Sequence, residues 1–411
     1  MEQRRKNLTQ LFIPICLETL LYMLSGMVDT LMLSSVNDQA VGAVGTANTY
    51  IGIFIIMFSV ISSGMVAVMT QNIGAGRPGV AYQARQLGLA FNAVLGVIMS
   101  LFLSLGAGTI LSGVGVADAL MQPAKTYLQI VGGFCILNAL IPICSSYLRA
   151  FGFSKEPLYA SIIGNVINFC LNAFFLFVLH KGVAGVATAT VISRIINLVI
   201  VVLLGAVLVK AKQHPERESN RAVMGQIIRI GLPSACETAI YNVSMTLVIR
   251  FLNQMDAQGL NVTARSYTMQ ITNFSYCVGA ALAQANAIMT GWHIGAKEYD
   301  ACDRGTKKAA VIGVIVAVIL ETVFTLCSGW IMQLFSKDPQ MVSLVGKLLA
   351  IDIVLEIGRV TNLVYGQALK TSGDAVFPVV MGACFMILCS VGGTYLFGIR
   401  LGLLPWAHTS V

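Results

Sequence analysis

Runs of about 20 apolar residues follow one another almost to the end of this 411-residue chain, and that is the length an α-helix rising about 1.5 Å per residue needs to cross a bilayer. They lie near residues 10–34, 48–72, 88–112, 125–149, 157–179 and 183–209, then near 224–252, 265–290, 309–334, 343–369 and 374–398. A secretory signal would give one such run and then a soluble composition. Here hydrophobic residues make up 56% of the chain, charged ones 11%, and mean hydropathy is +0.80, too little polarity to cover a water-facing surface. The expected fold class is all-α, a polytopic membrane protein.

The runs belong to a unit written twice. Pro14 to Thr19 reads PICLET and Pro233 to Thr238 reads PSACET, 219 positions on. Ile73-Gly74-Ala75 returns as Ile294-Gly295-Ala296, Gly152 as Gly373 and Pro157 as Pro378, each 221 positions on. Repeats of this size in an apolar chain are a habit of secondary transporters, whose substrate and ion sites lie between the halves. We therefore expect a six-helix lobe over 1–209, a cytoplasmic linker over 210–223 and a second lobe over 224–411, with a central cavity between six and five spans. The linker rests on KAKQHPERESNR (Lys210 to Arg221), which mixes charges, contains a proline and has no apolar period. Gly182, at the head of the sixth run, maps near Gly402, and the chain stops at Val411. A twelfth helix is thus expected to be missing, with the final PWAHTSV standing in its place in a truncated or frameshifted version.

With the N-terminus in the cytoplasm, sixteen lysines and arginines fall in inside segments and six outside; this bias sets orientation in the cell membrane. Both halves then enter the bilayer in the same direction, as a parallel repeat. The basic residues that give the net charge of +8 are scattered over short loops, so nucleic acid is not an expected partner. The ten cysteines form no CxxC pair and sit mostly in apolar runs, which reads as small buried hydrophobes rather than disulfides or a zinc site. His180, His214, His293 and His408 fall in loops or the tail, and neither HExxH nor GxSxG occurs, so the chain is not expected to be an enzyme or to carry a cofactor. A monomer is expected.

Six acidic residues lie inside apolar runs: Glu18, Asp29, Glu237, Glu321, Asp352 and Glu356. A charged residue at a helix centre costs about 2.5–3.5 kcal/mol on translocon scales, so such groups face a bundle interior or a wet cavity and mark ion pathways, unless they merely pair with a base. Glu356 and Arg359 stand at i, i+3, a spacing that lets them pair on one face. Glu18 and Glu237 each follow a helix proline, Pro14 and Pro233, by four residues, and a carboxylate one turn past a bend can point into a cavity. Asn168 and Asn172, with Asn165 nearby, offer amide oxygens for Na⁺ or for a carboxylic acid, or serve as interhelical glue. Thr188 and Thr190 add hydroxyls that either join such a site or bond back to their own helix.

Several stretches together resemble the multidrug and toxic compound extrusion (MATE) family over nearly the whole length. They are GMVDTLML around Asp29, TQNIGAG (Thr70 to Gly76) with its partner IGAKEYDACDR (Ile294 to Arg304), SSYLRAFGFSKEP (Ser145 to Pro157) with QALKTSGDAVFP (Gln367 to Pro378), and KGVAGVATATVIS. The loop before Pro157 departs from the pattern, with Phe153 and Ser154 where Asp and Thr are usual. The resemblance implies two six-helix lobes around a V-shaped cavity and export of small organic cations in exchange for Na⁺ or H⁺. It places the coupling ion, Na⁺ if a metal is used, at Asp29, Asn168, Asn172 and Thr190. In the second lobe it offers Glu237, Asp352, Glu356 and Arg359; Glu18 of the first lobe stays a further cavity candidate from its place one turn past Pro14. Its alternatives are a lipid-linked precursor flippase of the same superfamily, disfavoured by six intramembrane acids against about four arginines, and a truncated, transport-inactive version.

Overall fold

A computed structural model describes residues 6–35, 38–113, 116, 118–210, 215–255, 260–333 and 338–401. The expected stand-in for a twelfth helix, PWAHTSV, lies outside them. Every regular element among the described residues is helical, and each of the eleven apolar runs falls in a helical passage. The first six are α1 (Leu8–Ser34), α2 (Asp38–Gly74), α3 (Pro78–Gly113), α4 (Asp118–Tyr127) joined to α5 (Ile136–Ala150) through a π-helical stretch Leu128–Gly132, α6 (Lys155–Ala173) with its π-helical continuation Phe174–Val178, and α7 (Gly182–Leu208). Then come α8 (Asn220–Met255), α9 (Leu260–Gly295), α10 (Tyr299–Leu326) with the short α11 (Ser328–Gln333), α12 (Pro339–Ser372), and α13 (Val376–Phe385) prolonged by π-helical turns Met386–Gly392 and Thr394–Arg400.

Among the described residues, seven helices are long and apolar enough to cross a membrane, or eight if the pair Leu120–Gly132 and Ile136–Ala150, bent by 43°, is one span. The helices α8, α9 and α12 have 36, 36 and 34 residues, ample for a bilayer. Their polarity sets them apart. They carry Glu237, Arg265, Asp352, Glu356 and Arg359, of which Arg265, Asp352 and Glu356 are buried within the protein. Large apolar side chains such as Leu105, Leu326 and Trp330 stand exposed instead, the arrangement a lipid solvent favours.

The duplication is visible bond by bond. The starts of α3 and α10, of α4 and α12, and of α6 and α13 are each 221 positions apart. After α2, Gly76 N–H donates to Ile73 O (3.1 Å) and Arg77 N–H to Asn72 O (2.8 Å); after α9, Lys297 N–H donates to Ile294 O (3.0 Å) and Glu298 N–H to His293 O (2.8 Å). This nested pair caps orphan carbonyls and requires a left-handed residue at the turn, which is Gly76 (φ 74°) in one copy and Lys297 (φ 61°) in the other. The same cap closes α5 at Gly152 and α12 at Gly373, where Gly152 N–H bonds Arg149 O (2.9 Å) and Gly373 N–H bonds Lys370 O (3.1 Å).

The chain forms two compact units, Met1–Leu232 with Ile294–Lys297, and Pro233–His293 with Glu298–Val411. The change from one to the other falls inside α8, at Pro233. In unit 1, α8 crosses α2 at two glycines. A Cβ on Gly64 would overlap the Ile227 carbonyl oxygen and lie 2.8 Å from its carbon, and one on Gly231 would overlap the Val60 oxygen and lie 2.7 Å from its carbon. Only glycine lets two backbones approach so closely, each Cα–H facing the other helix's carbonyl.

The described part of the expected linker is held against α3. Gln83 Nε2 donates to Glu218 O (2.7 Å) and to Asn220 Oδ1 (2.5 Å), while Glu218 N–H donates to Gln83 Oε1 (3.1 Å). Arg77 adds an ion pair to Glu218 at 2.5 Å, and the Arg217 guanidinium lies 5.7 Å from the Tyr82 ring centre. Replacing Gln83 by Ala removes the amide that pairs with the Glu218 backbone, so limited proteolysis between residues 215 and 219 is expected to speed up several-fold in the otherwise folded protein. The cysteine expectation needs correction. Cys135, Cys144 and Cys277 are buried, but Cys170, Cys236, Cys327, Cys384 and Cys389 are exposed, because an apolar thiol on a lipid-facing helix need not leave the surface.

Candidate functional site

Asp29 sits near the end of α1, on the side packed against α6 and α7. Its Oδ1 accepts a 2.6 Å hydrogen bond from Asn172 Nδ2, which also reaches Asn168 Oδ1 at 3.3 Å. The i, i+4 spacing on α6 puts both amides on one face, and both are buried. Asn172 Oδ1 has no hydrogen-bond partner among the described residues. A carboxylate beside an orphaned, buried amide oxygen is a hard oxygen donor set that suits Na⁺, and it equally suits a proton shared on the acid. Arg194 of α7 acts on Asp29 electrostatically, a neighbour that sequence spacing does not reveal because it comes from a third helix. Thr190, also on α7, donates to its own helix at Val186 O (2.9 Å), and Thr188 does the same to Ala184 O (2.8 Å).

Glu18 and Glu237 are placed alike. Arg149 Nη2 lies 2.6 Å from Glu18 Oε2, joining α1 to α5, and Lys370 pairs with Glu237, joining α8 to α12. The acids are repeat counterparts 219 positions apart, and so are the bases, 221 apart at the two glycine caps. Ser161 Oγ is 3.5 Å from Glu18 Oε1, and Gly382, its counterpart, would bring a Cβ 3.8 Å from Glu237 Oε1. The recurrence of PICLET as PSACET thus accompanies the same ion pair made twice, one within each unit. Removing the base strands the acid. Arg149→Met is expected to destabilise unit 1 by about 3 kcal/mol, the low end for breaking a buried pair because both side chains keep some exposure. The double variant Glu18→Gln/Arg149→Met should recover much of that in thermal unfolding.

In unit 2, Asp352, Glu356 and Arg359 of α12 form one group. Arg359 Nη1 donates to Glu356 Oε2 (2.5 Å) and Nη2 to Asp352 Oδ1 (3.2 Å), and Ser275 Oγ of α9 donates to Glu356 Oε1 (3.1 Å). Glu237 is not part of it, being taken by Lys370. Its place beside the α12 acids is held by Glu321 of α10. Carboxylate oxygens of Glu321, Asp352 and Glu356 all lie within 4.8 Å of one another. The cost of an acid in an apolar run marks Glu321 in the sequence, but with no partner at helical spacing nothing there joins it to α12.

A family model described as MatE matches residues 14–174 and again 233–396, so the two matches begin at Pro14 and Pro233. The chain is 33% identical over 395 residues to "Uncharacterized transporter YisQ" of Bacillus subtilis, covering 95% of this chain and 86% of that protein. It is 22% identical over 391 residues to "Probable multidrug resistance protein NorM" of Thermotoga maritima, covering 92% and 82%. Its fold is similar to that of a solved multidrug resistance MATE family transporter of the MOP superfamily in an outward-facing conformation, with TM-score 0.88, 17% identity, and 98% and 90% of the two chains covered. The chain therefore belongs to the MatE family of multi-pass membrane transporters.

Proposed function

We propose that the protein is a secondary active antiporter that exports small organic cations in exchange for Na⁺ or H⁺ by alternating access, working as a monomer in the cell membrane with its N-terminus in the cytoplasm. The observation that carries this reading is the Asp29 carboxylate, placed in the spanning helix α1 and held by the Asn172 amide at 2.6 Å. Such a group can take up one cation or one proton at a time. For exchange to follow, the ion and the drug must each favour a different conformation, since a ligand shifts an equilibrium only by its differential affinity for the two states. One monovalent ion exchanged for one monovalent organic cation moves no net charge, so the ion's concentration gradient drives export; the membrane potential adds about 2.3 kcal/mol per 100 mV only for each further positive charge that enters.

The reading is tested with proteoliposomes loaded with a fluorescent organic cation, in which a sodium gradient and a pH gradient are imposed separately. Transport driven by one of them, and stopped by the ionophore that collapses it, is expected. Equal dye movement with either gradient and with none would overturn the reading.

A further inference from the structure

Burying a charge is costly unless an opposite charge accompanies it, and α9 carries a guanidinium that has none. Arg265 is only 6% exposed and stands five residues inside the start of α9. Among the described residues it makes one hydrogen bond, from Nη2 to Met245 Sδ of α8 at 3.1 Å, and the ionisable group acting on it is the Tyr241 phenol, not a carboxylate. A thioether is a weak acceptor for a group with five N–H donors. Long basic side chains near helix ends commonly snorkel out to the membrane surface. This one goes the other way, because Met245 lies ten residues before the end of α8 at Met255, about 15 Å along the helix.

Asn261, Arg265, Thr268, Thr272 and Ser275 recur at intervals of three and four along α9 and are all buried, so they share one polar face turned into unit 2. The first repeat serves as an internal control. The position 221 residues before Arg265 is Val44, which packs against the apolar cluster of Leu33, Ala40, Leu176 and Val186. Conversely, the offset of 219 that relates PICLET to PSACET carries Asp29 onto Val248, which is fully buried. The two units thus carry opposite charges at corresponding ends of their helices, and each closes without the charge the other has. Asp29 has Arg194 acting on it, whereas Arg265 has no acid in return. Neither packing nor pairing accounts for the buried guanidinium.

We propose that Arg265 is an anion-binding point within unit 2, and that its ligand is the carboxylate of a small organic acid with an apolar body. The planar fork of a guanidinium fits a carboxylate through two parallel hydrogen bonds. One guanidinium matches one negative charge; a phosphate dianion would leave a second charge unmatched in a desolvated place, where no further base acts on Arg265. Met245 and Tyr241 supply apolar surroundings for the body of the acid. The Met245 side chain, unbranched and flexible, can swing off Nη2 to admit the ligand, and Tyr241 is itself 41% exposed. This site is distinct from the one at Asp29 and stands whether or not that residue couples transport.

The test is equilibrium dialysis of the purified protein in detergent against radioactive benzoate at neutral pH, where that acid is ionised. Saturable binding is expected, weakened at least about 30-fold by Arg265→Met, the lower end of the loss on truncating one partner of a buried charge pair. Benzoate should also raise the thermal unfolding temperature of the parent and not that of the Met variant. Inorganic phosphate, standing for a lipid headgroup, and chloride should displace the label far less well than unlabelled benzoate does. If Arg265→Met does not fold, Arg265→Lys is used, which keeps the charge and loses the fork: weaker binding supports the site and unchanged binding overturns it. Absence of saturable binding by the parent, equal affinity in the Met variant, or displacement by phosphate or chloride as effective as by benzoate also overturns it. Failure of the antiport reading would show instead as gradient-independent dye movement by the unmutated protein, and would leave the dialysis result untouched.

Discussion

Replacing Asp29 by Asn is expected to reduce ion-driven efflux of a cationic dye to the leak rate of empty vesicles, while the protein still inserts and folds. The amide keeps an oxygen that can accept the Asn172 Nδ2 hydrogen bond now made at 2.6 Å, so the contact among α1, α6 and α7 survives and the stability change should stay within about 1 kcal/mol, the usual worth of one hydrogen bond. What is lost is the charge. An amide neither takes up a proton nor offers a full negative charge to Na⁺, so binding of the ion can no longer favour one conformation over another. The measurement is initial efflux in vesicles with matched protein content, alongside thermal unfolding in detergent. Gradient-driven efflux by the Asn variant at the unmutated rate would remove Asp29 from the coupling site.

The second large effect is on stability. Gly64→Val or Gly231→Val would drive a side chain into the backbone of the facing helix, because even a Cβ at either position overlaps a carbonyl oxygen. Neither helix has a flexible side chain at that point that could move aside, so the crossing of α2 and α8 must open. The cost should exceed the roughly 1–3 kcal/mol of ordinary overpacking. Strongly lowered yield and a fall of several degrees in unfolding temperature are expected. Gly26 and Gly358 provide the comparison, since a Cβ at either meets nothing within 4 Å; valine there should leave folding nearly unchanged. Equal loss at all four positions would show that glycine matters to these helices for some reason other than close approach.

The fold is legible in the sequence because lipid imposes one rule on every span, about 20 apolar residues in a row, and that rule needs no knowledge of partners. The duplication is legible because prolines and glycines with special backbone roles, such as Gly152 and Gly373 at their left-handed caps, are hard to replace. Contacts within one helix can be read as well. Glu356 and Arg359 pair as their spacing allows, and Asn168 and Asn172 share a face. Contacts between distant helices cannot. Glu237 and Lys370 are far apart in the chain and meet only because α8 lies against α12, and Glu321 joins Asp352 and Glu356 from another helix altogether. The cost of burying a carboxylate says that each of these acids must have company, but not which residue supplies it. Thr190 illustrates the opposite difficulty: a hydroxyl in a spanning helix can always satisfy itself on the preceding turn, as this one does at Val186, so its presence near a site says little.

The central claim is that an ion held at Asp29 and an exported cation exclude one another through the conformations they favour. Linkage requires that each then weakens the other's affinity by the same factor. Equilibrium binding of a fluorescent organic cation to the purified protein, measured across sodium concentration and across pH, is the most direct test. Affinity that falls as one of the two ions rises, and that becomes flat in Asp29→Asn, is the predicted result; dye affinity in the unmutated protein that ignores both ions would contradict it.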